Sequence, residues 1–373
     1  MTKIAITHDY LIDYGGAEQV LLALHDIYPA APIFVCIKDK KKMGKFWEKF
    51  EKLNVKTSWF QYIPFSSKLI SPLRFLLPAI WGSFDLSKFD LIIDSSSWAI
   101  TRGFKTRKNQ IEICYCHTPP RYLYGFDTSR RWKEKWYRKA VDIYAALVNR
   151  FMRIYDAKAS KKVDYFIANS ANTANRIEKY YQRKADVIYP PVEVERIINS
   201  KLTPKDGNYF LTGGRMVAAK NFHLVIKACE KAKVNLKIFG SGILEEELRK
   251  ISGNNIEFLG KLNDEELISY YKGANAFIAA QKDEDFGMTV VEAQAGGTPV
   301  IAYKGGGYLE SVIESKTGIF FDELTADSIV SAISKLKRVS IKSSECVKNA
   351  KRFEKARFEK EIKQYILNHA RTS

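Results

Sequence analysis

Short apolar runs, each set between stretches of helical spacing, recur along the whole chain and constrain its fold more than any other feature. In the first half they fall at residues 3–8, 32–37, 90–95, 110–117 and 163–169. In the second half they fall at 209–212, 234–239, 256–260, 274–280, 299–302 and 318–321. A run of this length without polar alternation suits a strand covered on both faces, and such strands joined by helices form parallel sheets. Two successive series predict an α/β chain with a doubly wound parallel sheet in each half. At 373 residues the chain is too long for one ordinary core, in keeping with two domains. The boundaries are read as 1–190, 191–350 and a terminal segment 351–373. Pro190, Pro191 and the polar residues up to Gly207 mark the linker. Residues 350–369 read as a charged amphipathic helix on which Phe353, Phe358, Ile362, Tyr365 and Ile366 can share a face. An ordinary terminal helix and one that returns to brace the first domain both fit that spacing.

Apolar content of 46% and charged content of 27% are globular values. No run of 18 apolar residues occurs, so no spanning helix is expected. A strand pattern begins at Lys3, so no signal peptide is expected. The five cysteines are odd in number and match no zinc spacing; Cys114 and Cys116 alternate on one strand and face the same side. Reduced core thiols in a cytoplasmic protein are the expectation. The net charge of +18 is uneven: residues 1–190 hold 32 Lys and Arg against 18 Asp and Glu, the remainder 28 against 24. A basic first half implies an anionic partner, whether membrane lipid, a phosphorylated acceptor or nucleic acid.

The chemistry concentrates in a few places. Glu284 and Glu292 stand eight positions apart across a loop-to-helix junction, with Phe286, Gly287, Met288 and Thr289 between them. Val290, Val291 and Ala293 would bury that helix, and Gly296-Gly297 would end it before the strand at 299–302. A helix start offers N–H groups to an anion, and carboxylates accept hydrogen bonds from sugar hydroxyls. The combination suits a sugar nucleotide. Gly15-Gly16-Ala17-Glu18 follows the first strand and lets backbone approach a diphosphate, although a glycine pair in a turn is also common. Arg215 and Lys220 follow Gly213-Gly214 and are candidate phosphate ligands, one a fork and one a point charge; each equally suits a solvated surface cation. His117 ends a strand, where ligands of doubly wound sheets bind, while a hydrogen-bonded structural histidine is the plainer reading.

Asp283-Glu284-Asp285 has the look of a metal triplet, but acidic residues before a helix start are explained by the helix dipole. Asp285-Phe286-Gly287 lacks every other element of a kinase. Gly305-Gly306-Gly307 after a strand allows close backbone approach or merely a flexible turn. Aromatics and lysines mix over residues 46–84, including Trp47, Trp59, Phe60, Tyr62, Phe65 and Trp81, and suit an interfacial surface or a core. Arg130, Arg131, Lys133, Lys135, Arg138 and Lys139 add a cluster able to attract anionic lipid.

With these residues in hand the chain resembles glycosyltransferase family 4, of the GT-B fold. Glu284 and Glu292 meet its glutamate pair; Gly214, Arg215 and Lys220 meet its Gly-Arg and Lys pattern. Phe239-Gly240-Ser241-Gly242, Phe258-Leu259-Gly260-Lys261-Leu262, Gly296-Gly297-Thr298-Pro299-Val300 and Ala350-Lys351-Arg352-Phe353 follow in family order. Residues 115–122 and 188–192 are similar to the O-antigen mannosyltransferase subgroup. The resemblance implies two Rossmann-like domains facing a central cleft, with a C-terminal helix crossing back to the first.

The resemblance also implies a retaining transfer of a hexose, mannose from GDP-mannose, to a polyprenyl-diphosphate-linked oligosaccharide in surface polysaccharide assembly. UDP- or other NDP-sugars are the alternative donors. Arg215 and Lys220 would hold the donor diphosphate, joined by Gly15 and Gly16 from the other half. Glu284 would accept from sugar hydroxyls near Phe286, Gly287, Met288 and Thr289; Glu292 would bind the ribose, Leu262 would line the donor site, and His117 would contact the transferred sugar. Catalysis would need the domains to close around the donor. No metal or other cofactor is expected. The expected location is cytoplasmic, peripheral on the cytoplasmic face of the inner membrane through the basic first domain. Two rival classes remain: a basic nucleic-acid-binding protein, for which no recognisable module appears, and a sugar-nucleotide sensor without activity.

Overall fold

A computed structural model describes residues 2–126, 138–202 and 207–370. Among these residues the chain divides into two compact units, one from 2–126, 138–191 and 358–370, the other from 192–202 and 207–357.

The first unit is built on a seven-stranded parallel sheet. Its strands are β1 (Ile4–His8), β2 (Ile33–Val35), β3 (Val55–Thr57), β4 (Leu91–Ser96), β5 (Ile111–Cys116), β6 (Tyr165–Ala168) and β7 (Ala185–Val187). Their order is β3-β2-β1-β4-β5-β6-β7. The chain therefore reverses its direction of travel between β1 and β4, the place where an open sheet presents its ligand crevice. β4 and β5 are buried at every position, as their unbroken apolar runs require. The helix Gly16–Ile27 packs Val20, Leu21, Leu24 and Ile27 into one core with Ile6, Ile33 and Ile93. Cys114 and Cys116 do face one side, sharing a cluster with Phe166, Ala168 and Ile177, and all five thiols are free and buried. Burial pushes the Cys346 and Cys229 thiols up to about 12, so they are inert packing groups.

The second unit carries a six-stranded parallel sheet. Its strands are β8 (Phe210–Gly213), β9 (Leu236–Phe239), β10 (Ile256–Gly260), β11 (Ala276–Ala279), β12 (Val300–Tyr303) and β13 (Gly318–Phe321). The order β10-β9-β8-β11-β12-β13 places the reversal between β8 and β11. Both sheets are thus doubly wound, as the apolar runs predict.

Several expectations change. The linker region contains a short helix, Val194–Asn199, whose Val194 and Ile197 are buried. The terminal segment is not one amphipathic helix. It is a helix Ser343–Ala350, a 3-10 turn Lys351–Phe353 and a helix Lys355–Ala370. Phe353 stays with the second unit, its ring 5.1 Å from that of Phe286. Phe358, Ile362 and Ile366 enter the core of the first unit, beside Tyr115 and Ile188. The apolar face splits because Glu354 is extended, with ψ at 143°, and Val192 and Phe353 bond there instead of continuing the helix.

The aromatic stretch 46–84 also divides. Trp47, Phe50, Phe60, Leu77, Ile80 and Trp81 are core, whereas Tyr62 and Phe65 are 85% and 74% exposed. Arg130, Arg131, Lys133 and Lys135 lie outside the described residues, as does the side chain of Arg138. No helix among the described residues is long and apolar enough to cross a membrane.

Candidate active site

In the second unit, sheet geometry explains the glycines first. Gly214 N–H donates to Phe239 O at 3.1 Å, and Met216 N–H to Ser241 O at 2.9 Å, so the loops after β8 and β9 run in contact. A Cβ on Gly240 would lie 2.0 Å from Gly214 O, and one on Gly242 would lie 2.4 Å from Met216 O. Only glycine permits this approach, which sets Arg215 exposed at the end of β8. Lys220 closes a 3-10 turn, Ala218–Lys220. Asn221 fixes that turn by donating from Nδ2 to Ala280 O at 2.9 Å, across to the end of β11.

Glu284 follows β11, on the other side of the reversal. Lys220 Nζ lies 2.7 Å from Glu284 Oε2 in an ion pair whose side chains are 25% and 15% exposed. A second donor, Tyr308 Oη, reaches the same oxygen at 3.2 Å. Backbone closes the cradle, since Gly307 N–H donates to Glu284 O at 2.9 Å. Gly287 precedes the helix Met288–Ala295 with φ +93°, and a Cβ there would meet the Tyr308 ring at 2.8 Å. Phe286 is buried, and Met288 and Thr289 are half-buried in the first turn. Glu292 projects from the same helix and accepts from Tyr271 Oη at 2.9 Å. Burial and the neighbouring Glu292 carboxylate push the Tyr271 phenol well up, so it stays a donor. Leu262 packs against the cluster that holds Tyr271, Val290 and Tyr308.

In the first unit, Gly15 and Gly16 open the helix Gly16–Ile27, with Glu18 Oε2 accepting Gly15 N–H at 2.8 Å. His117 follows β5 and is buried; its backbone N–H donates to Ser96 O at 2.9 Å, and its ring Nε2 lies 2.8 Å from Ser95 Oγ.

The structure thus joins Lys220 to Glu284, sets Arg215 on the loop after β8, places Glu292 by Tyr271 and packs Leu262 on the cluster to which Tyr271 belongs. Sequence reasoning missed Tyr308, Tyr271, His8, Ser95 and Glu18. His8 and Ser95 carried a signal, because both end apolar runs, as His117 does. Glu18 carried another, lying three residues after the glycine that precedes a helix. Tyr271 carried none. Among the described residues no group of three or more His, Cys, Asp and Glu is arranged to hold a metal ion, so Asp283, Glu284 and Asp285 form no such cluster.

Two family models match the chain nearly end to end. Residues 14–196 match Glycosyltransferase Family 4, and residues 193–353 match Glycosyl transferases group 1. With the paired doubly wound sheets, this places the chain in glycosyltransferase family 4, of the GT-B type. Among particular proteins, an uncharacterized glycosyltransferase of Methanocaldococcus jannaschii is 29% identical over 46% of this chain and 49% of its own length. An uncharacterized 41.2 kDa protein in the cps region of Klebsiella pneumoniae is 27% identical over 70% of this chain and 73% of its own. The O-antigen chain mannosyltransferase C of Escherichia coli is 27% identical over 57% of this chain and 62% of its own. The chain spans about half the length of the first of these relatives. HepE of Anabaena, solved with UDP and glucose, superposes with a TM-score of 0.72 at 18% identity, covering 99% of this chain and 100% of that one. A sucrose-phosphate synthase of Thermosynechococcus elongatus gives 0.74 at 17% identity, with both chains fully covered. At such identities the likeness is one of fold.

Proposed function

We propose that the protein transfers a hexose with retained configuration, mannose from GDP-mannose, to a polyprenyl-diphosphate-linked oligosaccharide in surface polysaccharide assembly. The observation that carries the reading is the Lys220–Glu284 pair at the reversal between β8 and β11. A cation for a diphosphate and an acceptor for sugar hydroxyls stand there in contact. In this reading the bond from the anomeric carbon to the diphosphate oxygen breaks, and the nucleoside diphosphate leaves with its charge held by Arg215 and Lys220. These two cations serve where other transferases use a metal ion, so no divalent ion is required. Glu284 holds the sugar, Glu292 the ribose, and Gly15, Gly16 and His117 serve from the first unit; no enzyme nucleophile is assigned. Similarity to the mannosyltransferase supports mannose. UDP bound to HepE favours, as a second reading, a UDP-sugar donor on the same site.

A thermal-shift series with GDP, UDP, ADP and dTDP in EDTA tests this, because a ligand held well above its dissociation constant raises the melting temperature. The expected result is a selective response to GDP and GDP-mannose, lost in Lys220→Ala. A selective UDP response would overturn the donor, and no response to any nucleotide would overturn the transferase reading.

The reading includes a peripheral contact with an anionic bilayer. Ile143, Leu147, Phe151 and Ile154 are exposed on the helix Arg138–Lys162, and their spacing puts them on one face. Arg150, Arg153, Lys158 and Lys161 are exposed around them. Arg74 binds Asn149 at 2.8 Å, and Tyr144 Oη bonds to Pro72 O, which ties this helix to the segment bearing the exposed Tyr62 and Phe65. Apolar side chains ringed by cations suit the interface of an anionic membrane. Leu147→Glu with Phe151→Glu should abolish sedimentation with anionic vesicles at low salt. Unchanged sedimentation, or none in the wild type, sinks this contact.

A further inference from the structure

The loop after β4 is held at several points. Asp9 follows β1 and is buried. It accepts Ser97 N–H on Oδ1 at 3.3 Å and Trp98 N–H on Oδ2 at 2.6 Å, and it also accepts from the Thr101 hydroxyl. Trp81 Nε1 donates to Ala99 O at 2.9 Å. Within this loop Ile100 has φ +55°, and among the described residues it is the one β-branched side chain in the left-handed region. Such strain persists only where the surroundings overdetermine it, and it gathers at active sites and ligand clamps. The loop leaves the sheet at the reversal between β1 and β4, where an open sheet presents its crevice.

The clamp fixes Trp98. Its half-buried indole lies 5.9 Å from the Tyr10 ring and 5.5 Å from the Tyr122 ring. The indole N–H bonds to no described residue. An aromatic surface with a donor at its edge matches a sugar, which offers C–H groups on one face and hydroxyls around its rim. The set continues away from the strand ends. Arg74 lies 5.3 Å from the Tyr122 ring and 5.9 Å from the Tyr144 ring. Its donations to Asn149 Oδ1 and Ser71 O hold the guanidinium beside both rings. Tyr144 belongs to the helix Arg138–Lys162, whose exposed face carries Ile143 and Leu147. Aromatic surface, guanidinium and apolar face follow one another in the order sugar, diphosphate, lipid.

We propose that these residues form an acceptor track in the first unit. Trp98, with Tyr10 and Tyr122 beside it, seats the sugar joined to the diphosphate; Arg74 binds the diphosphate, and the face of Ile143 and Leu147 meets the lipid. That the ligand is an acceptor rests on the transferase reading above; its binding does not. One ring, Tyr122, stands between Trp98 and Arg74, so the sugar at Trp98 is the first of the lipid-linked chain. A guanidinium grips phosphate oxygens through paired bonds, so Arg74 distinguishes a diphosphate-linked sugar from a simple glycoside.

Protein labelled with 5-fluorotryptophan tests the binding without turnover. The chain has six tryptophans, and the Trp98 signal is the one lost in Trp98→Phe or Trp98→Tyr. The probes are farnesyl diphosphates bearing glucose, galactose or N-acetylglucosamine, and the octyl glycosides of the same sugars. The Trp98 signal should respond to a diphosphate-linked probe at about tenfold lower concentration than to the matching octyl glycoside. In Arg74→Gln that advantage should vanish while the response to the octyl glycoside stays. No Trp98 shift with any probe, or an advantage that survives Arg74→Gln, overturns the track. In transfer assays Trp98→Phe keeps a ring and loses the N–H, so acceptor KM should rise about tenfold with donor KM unchanged. Unchanged acceptor KM, or a rise in donor KM alone, overturns the sugar seat. A wild type that binds the probes yet glycosylates none from any nucleoside-diphosphate sugar overturns the transferase reading and supports the track alone.

Discussion

Lys220 and Glu284 neutralise one another at 2.7 Å, so an anion that engages Lys220 shares it with Glu284. The pair is partly open to water, and its loss should cost the fold about 1 kcal/mol or less. Lys220→Ala should therefore lower turnover by about a hundredfold or more while the melting temperature hardly moves; activity and melting on the same preparation check this. A second residue-scale prediction concerns Asp94. It is fully buried on β4 next to Glu112 on β5, with Thr7 Oγ1 donating to its Oδ1 at 2.7 Å. Burial, and then the Glu112 carboxylate, push the Asp94 carboxyl well above the usual range. Glu112 is raised less, because Asp94 and the Gly103 and Lys105 amides donate to it, so the pair holds one proton, on Asp94. The folded form then binds a proton that the unfolded chain has already lost. Its contribution is full below the ordinary carboxylate pKa and falls as pH rises toward the raised value, by about 1.4 kcal/mol per pH unit. Asp94→Asn keeps the donor without the titration. Its stability relative to wild type should rise with pH between about 5 and 8, as read by urea denaturation at each pH; a parallel pair of curves would contradict the assignment.

At the scale of elements, the helix Met288–Ala295 is set by its entry. Gly287 holds φ +93° and has the Tyr308 ring where a Cβ would go. Gly287→Ala should destabilise the protein by about 1–3 kcal/mol and push Tyr308 away from Glu284. Gly44 combines φ +58° with ψ −135° but has open space around it, so Gly44→Ala should cost about 1–3 kcal/mol from backbone strain alone. Denaturation of the two variants separates clash from backbone strain. Strand reading shows the same division between local and distant causes. Eleven strands announce themselves as apolar runs. β3 and β7 do not, because they lie at the sheet edges, run three residues each and alternate polar with half-exposed positions. The helix Val194–Asn199 was hidden likewise by the prolines and charges around it.

At the scale of the molecule, the chain leaves its first unit at Pro191 and returns to it at Phe358. Phe358, Ile362 and Ile366 then fill a core that residues more than 150 positions earlier have built. Ending the chain at Arg357 should remove about 5 kcal/mol or more from the first unit. Calorimetry should show its transition lowered and that of the second unit unmoved; two unchanged transitions would mean the helix contributes no stability.

By itself the sequence determined the class of fold and the two sheets, because periodicity is local, and it marked Arg215, Lys220, Glu284, Glu292 and His117 as candidates on the loops and helix that follow strands. Tertiary structure alone decided that Lys220 meets Glu284 64 positions away and that Tyr308 and Tyr271 hold the two glutamates. It also decided that Ser95 links His8 to His117, and which aromatics of 46–84 are core. Such pairings depend on strand order and register, which bring distant residues within hydrogen-bond reach, and no local pattern encodes them.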